Sequence, residues 1–206
     1  MNIKRLEELV NEYIKNRGEI TFALLYGSYA FDEITQTSDI DLLIVTKETE
    51  EMQTCHELLN GRIVEITMIG AKLLDQMIKE ANPFIVGAFQ YGLPIYGKET
   101  VETIKKSPSN KTLKDWSEKY YAKGIERLKE AEKDNNEATA AVTLLLNAYL
   151  LSKKDVRLSH SLEKLVKRVE DENLRSLLND FIKAKDTQSL EYAKKIAKAL
   201  RQKALE

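Results

Sequence analysis

The chain has 206 residues, 43% of them hydrophobic, and a formal net charge of -1, enough apolar material for one good core or two modest ones. No uninterrupted apolar stretch is long enough to cross a bilayer, and residues 1–15 read as a charged amphipathic helix rather than a cleavable leader. The single cysteine, Cys55, excludes an internal disulfide framework and fits a reducing compartment, so a soluble cytoplasmic protein is expected.

Leu6, Leu9, Val10, Tyr13 and Ile14 recur at helical spacing, which predicts an opening amphipathic helix that ends near Asn16 to Gly18. Three β-rich runs follow: ITFALLYG at 20–27, DIDLLIVT at 39–46 and RIVEITMI at 62–69. A polar, turn-rich segment joins the first two, and the stretch around 48–59 reads as helical. That alternation predicts a mixed α/β sheet. Helices are expected at 71–80 and 83–91, after which YGLPIYGKET reads as a turn and a short extended piece.

KKSPSNKT at 105–112 has no apolar period and combines Pro, Ser and Asn, so the domain boundary is expected there, giving domains 1–106 and 107–206. Beyond it no strand pattern appears. Leu113, Trp116, Tyr120 and Leu128 mark one helix face, and Ala138, Ala141, Val142, Leu145, Leu146 and Tyr149 mark a second. Three more faces follow, carried by Leu162, Leu165, Val166 and Val169, by Leu174, Leu177, Leu178 and Phe181, and by Leu190, Ala193, Ile196, Ala197 and Leu200. Short connections between them predict an up-and-down bundle. The fold class is therefore an α/β domain with a mixed sheet, followed by an all-α helical bundle.

Charge separates along the same line. Residues 111–206 carry 21 Lys+Arg against 16 Asp+Glu, while the preceding part has 11 against 17. The half with the unusual acidic residues is itself acidic, which disfavours long DNA or RNA as the main ligand. A small polyanion held through a metal agrees better with these signs.

On a strand, residues two apart face one side, so Asp39 and Asp41 project together while Ile40 and Leu42 point the other way. Burying two carboxylates without partners would cost several kcal/mol. No Lys or Arg lies between Gly27 and Thr46 to neutralise them. Hard divalent cations prefer oxygen donors, and Mg2+ is usually held by one or two carboxylates plus substrate phosphates. Gly27 ends a strand where close backbone approach excludes a Cβ, and Ser28 offers a hydroxyl and an N–H to phosphate oxygens. Glu65, within RIVEITMI, is a third acid in an apolar run. Asp39 alone would be explained as a turn or capping aspartate after Ser38; its combination with Asp41, Glu65 and Gly27-Ser28 is not.

Gly27-Ser28, ten residues, then Asp39-Ile40-Asp41 and an apolar strand resembles the signature of the DNA polymerase β-like nucleotidyltransferase superfamily, in particular its minimal and kanamycin-type members. The likeness runs from residue 20 to about 97 and includes FQYGLPIYG at its end. It implies that Asp39, Asp41 and Glu65 act as catalytic metal ligands for Mg2+ and that Gly27 and Ser28 hold the triphosphate. It further implies transfer of a nucleoside monophosphate, from ATP in the first instance, to a hydroxyl on a small molecule or protein, with release of pyrophosphate. The third acid in that superfamily is commonly Asp. Many of its members also have a basic residue and then Gly shortly after the Gly-Ser pair, where this chain has Phe31-Asp32. That departure supports the alternative of a nucleotide-binding, catalytically weak regulatory or antitoxin-like module.

LLLNAYLLSKKDVRLSHSLEKLV at 144–166 resembles the HEPN-type helical domain, and related bundles bind the acceptor in kanamycin-type enzymes. HEPN ribonucleases place His four to six residues after an Arg, whereas Arg157 and His160 have two residues between them; a loop or helix-terminal role for His160 is therefore preferred to a ribonuclease role. Trp116, Tyr120 and Tyr121 are read as core rather than as a stacking platform. His56 beside Cys55 lacks a second pair at zinc-ligand spacing. Glu118, Glu126, Glu130 and Glu137 remain open as general bases, none singled out. Homodimerisation through the apolar-faced helices is a further expectation.

Overall fold

The computed structural model describes residues 3–17, 19–35, 38–47, 51–104, 113–132, 134, 136–184 and 186–204. The chain divides into two compact units, Met1–Asn110 and Lys111–Glu206. The boundary expected at 106/107 lies outside the described residues, as do Gly18 and the side chains of Tyr13 and Ile14.

In the first unit the order is α1 (Ile3–Arg17), β1 (Ile20–Tyr26), a 3-10 turn (Gly27–Tyr29), β2 (Ile40–Thr46), β3 (Gln53–Leu59) and β4 (Arg62–Gly70). Then come α2 (Ala71–Lys79), α3 (Pro83–Tyr91), β5 (Leu93–Tyr96) and α4 (Lys98–Ile104). The five strands form one sheet in the order β3-β4-β2-β1-β5. β2 and β4 are parallel, and the remaining neighbours are antiparallel.

Alternation along the strands builds two cores, one on each face of the sheet. On one face Ala23, Leu25, Ile40, Leu42, Ile44, Val64 and Ile66 pack with Leu6 and Val10 of α1. On the other, Phe22, Leu24, Leu43, Val45 and Ile69 pack with Leu74 of α2, Ile85 and Phe89 of α3 and Val101 of α4. A strand covered on both faces must be apolar at every position, and β2 from Leu42 to Val45 is fully buried. Each such side chain contributes about 1.5–3 kcal/mol by leaving water. Helix α3 starts where Asn82 accepts a hydrogen bond from the Phe84 N–H at 3.0 Å, with Pro83 in the first turn, an N-cap pattern that suits the locked φ of proline.

The stretch around 48–59 departs from its expected helix. Residues 48–50 lie outside the described set, and β3 pairs antiparallel with β4 from Gln53↔Met68 to Leu59↔Arg62. The reason is the Asn60-Gly61 pair between them, with φ of 54° and 76°. A two-residue loop with both residues left-handed is the hairpin connection whose twist matches the strands it joins. Once it forms, every residue of β3 has a ladder partner, which an isolated short helix would not supply. The segment after Gly97, not assigned to a helix from its composition, forms α4 and buries Val101.

The second unit consists of α5 (Leu113–Glu130), α6 (Asn136–Ser152), α7 (Leu162–Lys167), α8 (Glu172–Lys183) and α9 (Asp186–Ala204). Its core includes Leu128, Val142, Leu145, Leu146, Leu165, Val169, Leu178, Phe181, Ile196 and Leu200. Helix α6 is central: it packs against α5, α7 and α9, and Leu145 to Leu151 are all buried. A helix surrounded in this way loses its polar face. Its contact with α5 is close because of Gly124, where a Cβ would come 2.8 Å from Leu145 Cγ. Buried Asn147 ties the loop after α6, donating to the Ser159 carbonyl at 2.8 Å and accepting from the Ser159 N–H at 3.1 Å. Ser161 and Asp171 cap α7 and α8 through the N–H groups of Lys164 and Leu174. Among the described residues no helix is long and apolar enough to cross a membrane.

Two glycine substitutions separate packing from backbone strain. Gly124→Val should lower the urea midpoint by the equivalent of about 1–3 kcal/mol through overpacking against Leu145. Gly61→Ala, with nothing within 4 Å of the added Cβ, should cost only the left-handed backbone penalty of about 1–2 kcal/mol. Urea unfolding followed by circular dichroism measures both, and an unchanged midpoint in either variant would contradict its assigned cause.

Candidate functional site

Strand register brings one polar residue from each of four strands into a lateral row. Tyr26 of β1 pairs with Asp41 of β2, Asp41 with Glu65 of β4, and Glu65 with His56 of β3. The next row inward is Leu24, Leu43, Thr67 and Thr54, and beyond it lie Phe22, Val45 and Ile69. The apolar members of those inner rows are the ones packed under α2, α3 and α4. Asp41 and Glu65 stand outside that cover, half-buried at the mouth of the sheet.

The turn after β1 is built against one of these acids. Gly27 has φ +66°, and a Cβ placed on it would lie 1.9 Å from Asp41 Oδ2. Two requirements coincide at this position: a left-handed backbone and the space that the carboxylate occupies. The turn is closed by its own backbone, with the Ala30 and Phe31 N–H groups donating to the Gly27 carbonyl and the Glu33 N–H to the Ser28 carbonyl at 2.9 Å. Ser28 is thereby set half-buried one residue beyond the Asp41 contact.

Tyr26 sits beside both acids. Its ring packs edge-on against Phe84, centroids 5.1 Å apart, and its hydroxyl lies 3.2 Å from Thr67 Oγ1. Burial, reinforced by the negative charge of Asp41 and Glu65 and offset in part by the Thr67 hydrogen bond, pushes the phenol well above its ordinary pKa. It stays a neutral donor and acceptor under all ordinary conditions. On the outer side of Glu65, His56 Nε2 approaches Glu65 Oε2 to 3.5 Å.

Of the five residues expected in the site, Gly27, Ser28, Asp41 and Glu65 are assembled at one end of the sheet by the turn and the ladder. Asp39 is one residue short of the ladder, since β2 begins at Ile40, and it is exposed. Among the described residues no group of three or more His, Cys, Asp or Glu side chains is arranged to hold a metal ion. Asp41 and Glu65 nevertheless supply oxygen donors in register on adjacent strands, whose backbones run about 5 Å apart. That donor set suits a hard divalent cation. At the position of the departure from the family pattern, Phe31 packs edge-on against Tyr91 of α3, centroids 5.4 Å apart, and Asp32 takes a left-handed φ of 58°.

Sequence reasoning missed Tyr26, His56 and Arg62. The first lies at the end of an apolar run and reads as core. The second was assigned to a helix, and only the Asn60-Gly61 turn would have placed it opposite Glu65. Arg62 donates through Nη1 to the Tyr29 hydroxyl at 2.7 Å and to the Ser38 carbonyl at 3.4 Å.

In the second unit several of the residues weighed for chemistry are engaged by neighbouring groups. Arg157 is held by both oxygens of Asp155 at 2.8 Å, and His160 is exposed. Glu130 and Glu137 both accept from Arg127, at 3.1 and 2.9 Å, while Glu118 and Glu126 are exposed. Tyr121 donates to the Ala197 carbonyl at 3.4 Å, and burial raises the pKa of Tyr120. Lys119 Nζ lies 4.4 Å from the centroid of the half-buried Trp116 ring.

The contact between Gly27 and Asp41 predicts a coupling. Gly27→Ala should destabilise the protein by more than Gly61→Ala does, and in an Asp41→Ala background part of that cost should vanish, leaving a coupling of about 0.5–3 kcal/mol. A double-mutant cycle in urea measures it; strictly additive effects would mean that the carboxylate does not occupy the space beside Gly27.

Residues 8–100 match the model of the family described as Polymerase beta, Nucleotidyltransferase. No curated protein matches the chain. Among solved structures it is similar to a nucleotidyltransferase-like protein from Exiguobacterium sibiricum 255-15, at 18% identity and a TM-score of 0.48, over 97% of this chain and 74% of that one. A likeness at that level carries no argument about the site. The family match takes in all five strands, the Gly27-Ser28 turn and the three acids, and it stops ahead of the helical unit. It is therefore the first unit of this chain that matches the polymerase beta-type nucleotidyltransferase family.

Proposed function

We propose that the protein transfers a nucleoside monophosphate, AMP from ATP in the first instance, to a hydroxyl acceptor, and that Asp39, Asp41 and Glu65 form the metal-binding side of the site. The observation that carries this reading is the register of Asp41 and Glu65 on adjacent parallel strands, directly beside the Gly27-Ser28 turn. In the reaction the acceptor oxygen bonds to the α-phosphorus. The bond from that phosphorus to the bridging oxygen breaks, and pyrophosphate leaves with the electron pair. The proton of the acceptor hydroxyl passes to a general base.

Mg2+ would be held by Asp39, Asp41 and Glu65, and when bound it supplies the positive charge that a triphosphate beside three carboxylates requires. Within the chain, the turn at Gly27 admits close approach of phosphate to the backbone, and Ser28 contributes a hydroxyl to it. Asp39, exposed one residue ahead of β2, would be the third oxygen donor beside the Asp41–Glu65 pair. Tyr26, held neutral, adds no charge of its own to this acidic end. The acceptor is a small molecule, such as an aminoglycoside-like sugar, or a protein. The helical unit, HEPN-like in its sequence pattern, is read as the acceptor-binding part. A single half-buried cysteine agrees with a cytoplasmic setting, and a homodimer through the helical unit completes the proposal.

One observation favours a second reading, nucleotide binding with little or no turnover. Phe31, packed on Tyr91, stands at the point in the sequence where many members of the superfamily carry a basic residue.

The two readings part in one assay. With Mg2+ and α-labelled ATP, the wild-type protein should release pyrophosphate and label a hydroxyl acceptor, and Asp41→Asn or Glu65→Gln should each reduce the rate about 100-fold or more. A loss of several kcal/mol of transition-state stabilisation has that size. Tight ATP binding without pyrophosphate release across a panel of sugars and proteins would select the binding module. Unchanged ATP affinity in the double variant Asp39→Asn, Asp41→Asn would remove both.

A further inference from the structure

We propose that Arg62 is a positioning residue for the nucleotide site, acting from the opposite face of the sheet by tying together the two ends of the loop that carries Ser28 and Asp39. The inference rests on the functional reading above and adds to it a residue with no direct contact to substrate. Arg62 opens β4, the strand that carries Glu65 three positions later. By strand alternation it shares a face with Val64 and Ile66, the face packed by α1, whereas Glu65 and Asp41 point away from it. The Tyr29 side chain comes to the same face, half-buried against the core that contains Leu6 and Val10.

There one guanidinium meets both ends of the loop. Its Nη1 donates to the Tyr29 hydroxyl at 2.7 Å, its Cζ lies 5.9 Å from the Tyr29 ring centroid, and the same Nη1 donates to the Ser38 carbonyl at 3.4 Å. Tyr29 directly follows Ser28, and Ser38 directly precedes Asp39. Ser38 passes the restraint on: its hydroxyl accepts from the Thr35 N–H at 2.8 Å and lies 2.9 Å from Thr35 Oγ1. The phosphate-side turn, the first aspartate and the strand of the third acid are thus linked through one side chain. A planar, permanently charged fork is the group suited to hold two acceptors and an aromatic ring together. The link also explains why Asp39 needs help. It lies one residue ahead of the first paired position of β2, Ile40 with Val64.

The test uses the full chain and three variants, Arg62→Gln, Arg62→Lys and Tyr29→Phe. Arg62→Gln should weaken Mg-ATP binding about tenfold or more, the usual loss when a group that orients metal ligands is removed, and should raise KM for the nucleotide while leaving KM for the acceptor unchanged. Arg62→Lys should recover part of the affinity through its single donor, and Tyr29→Phe should show a smaller loss that is not additive with Arg62→Gln. In parallel, amide hydrogen exchange without nucleotide should speed up over residues 28–35 and 38–39 in Arg62→Gln and stay as in wild type across β1, β2 and β4. Wild-type affinity together with wild-type exchange in Arg62→Gln would overturn the proposal. Should exchange rise throughout the first unit of Arg62→Gln, Tyr29→Phe decides alone: faster exchange confined to the loop supports the link, and none overturns it. If the wild-type protein fails to bind nucleotide, the functional reading falls, whereas the exchange experiment still decides whether Arg62 holds the loop.

Discussion

The Asp41 carboxylate rests against the bare Cα of Gly27, and the arrangement of the first unit's polar end follows from that contact. Any side chain at position 27 would occupy the volume of Oδ2, so the turn after β1 and the acid on β2 are a single steric unit. The β1–β2 ladder delivers them to each other by pairing Tyr26 with Asp41. The parallel β2–β4 ladder then sets Glu65 beside Asp41 without any further device. Three elements distant in the chain are placed by backbone hydrogen bonds, and the side chains follow because a pleated strand leaves them one direction to point.

The same face of the sheet serves two purposes along its length. Toward one end Phe22, Leu43, Val45 and Ile69 lie under helices and build the core. Toward the other the helical cover stops, and the row Tyr26, Asp41, Glu65 and His56 replaces apolar residues at the same strand positions modulo two. Carboxylates tolerate this place because it is half-buried rather than sealed; fully enclosed, they would require a cation at all times. Among the described residues the opposite face holds no such row. There Arg62 and Tyr29 close over the α1 side, which sets these two side chains on the face opposite the acidic row.

The helical unit shows the contrary pattern. Its conspicuous polar residues are consumed in holding its own loops and helix ends: Asp155 on Arg157, Arg127 between Glu130 and Glu137, and Asn147 on Ser159. These bonds help to fix a bundle around the apolar α6.

The sequence by itself determined the α/β-then-helical organisation, the strands around Leu24, Leu43 and Ile66, the helices expected at 71–80 and 83–91, and the pairing of a Gly-Ser turn with acids spaced two apart. These are local matters, legible because period-two and period-3.6 patterns and a glycine at a strand end are written within a few residues. Tertiary structure alone decided which residues become neighbours across strands. His56 was misplaced because its own window resembles a helix, and it faces Glu65 only after the Asn60-Gly61 turn reverses the chain. Arg62 gives no local sign that it reaches Tyr29 and Ser38, and Asp39, expected on the strand, falls one residue outside it. In each case the deciding interaction is a contact between segments 20 or more residues apart, or a turn whose geometry outweighs the propensity of the residues it joins.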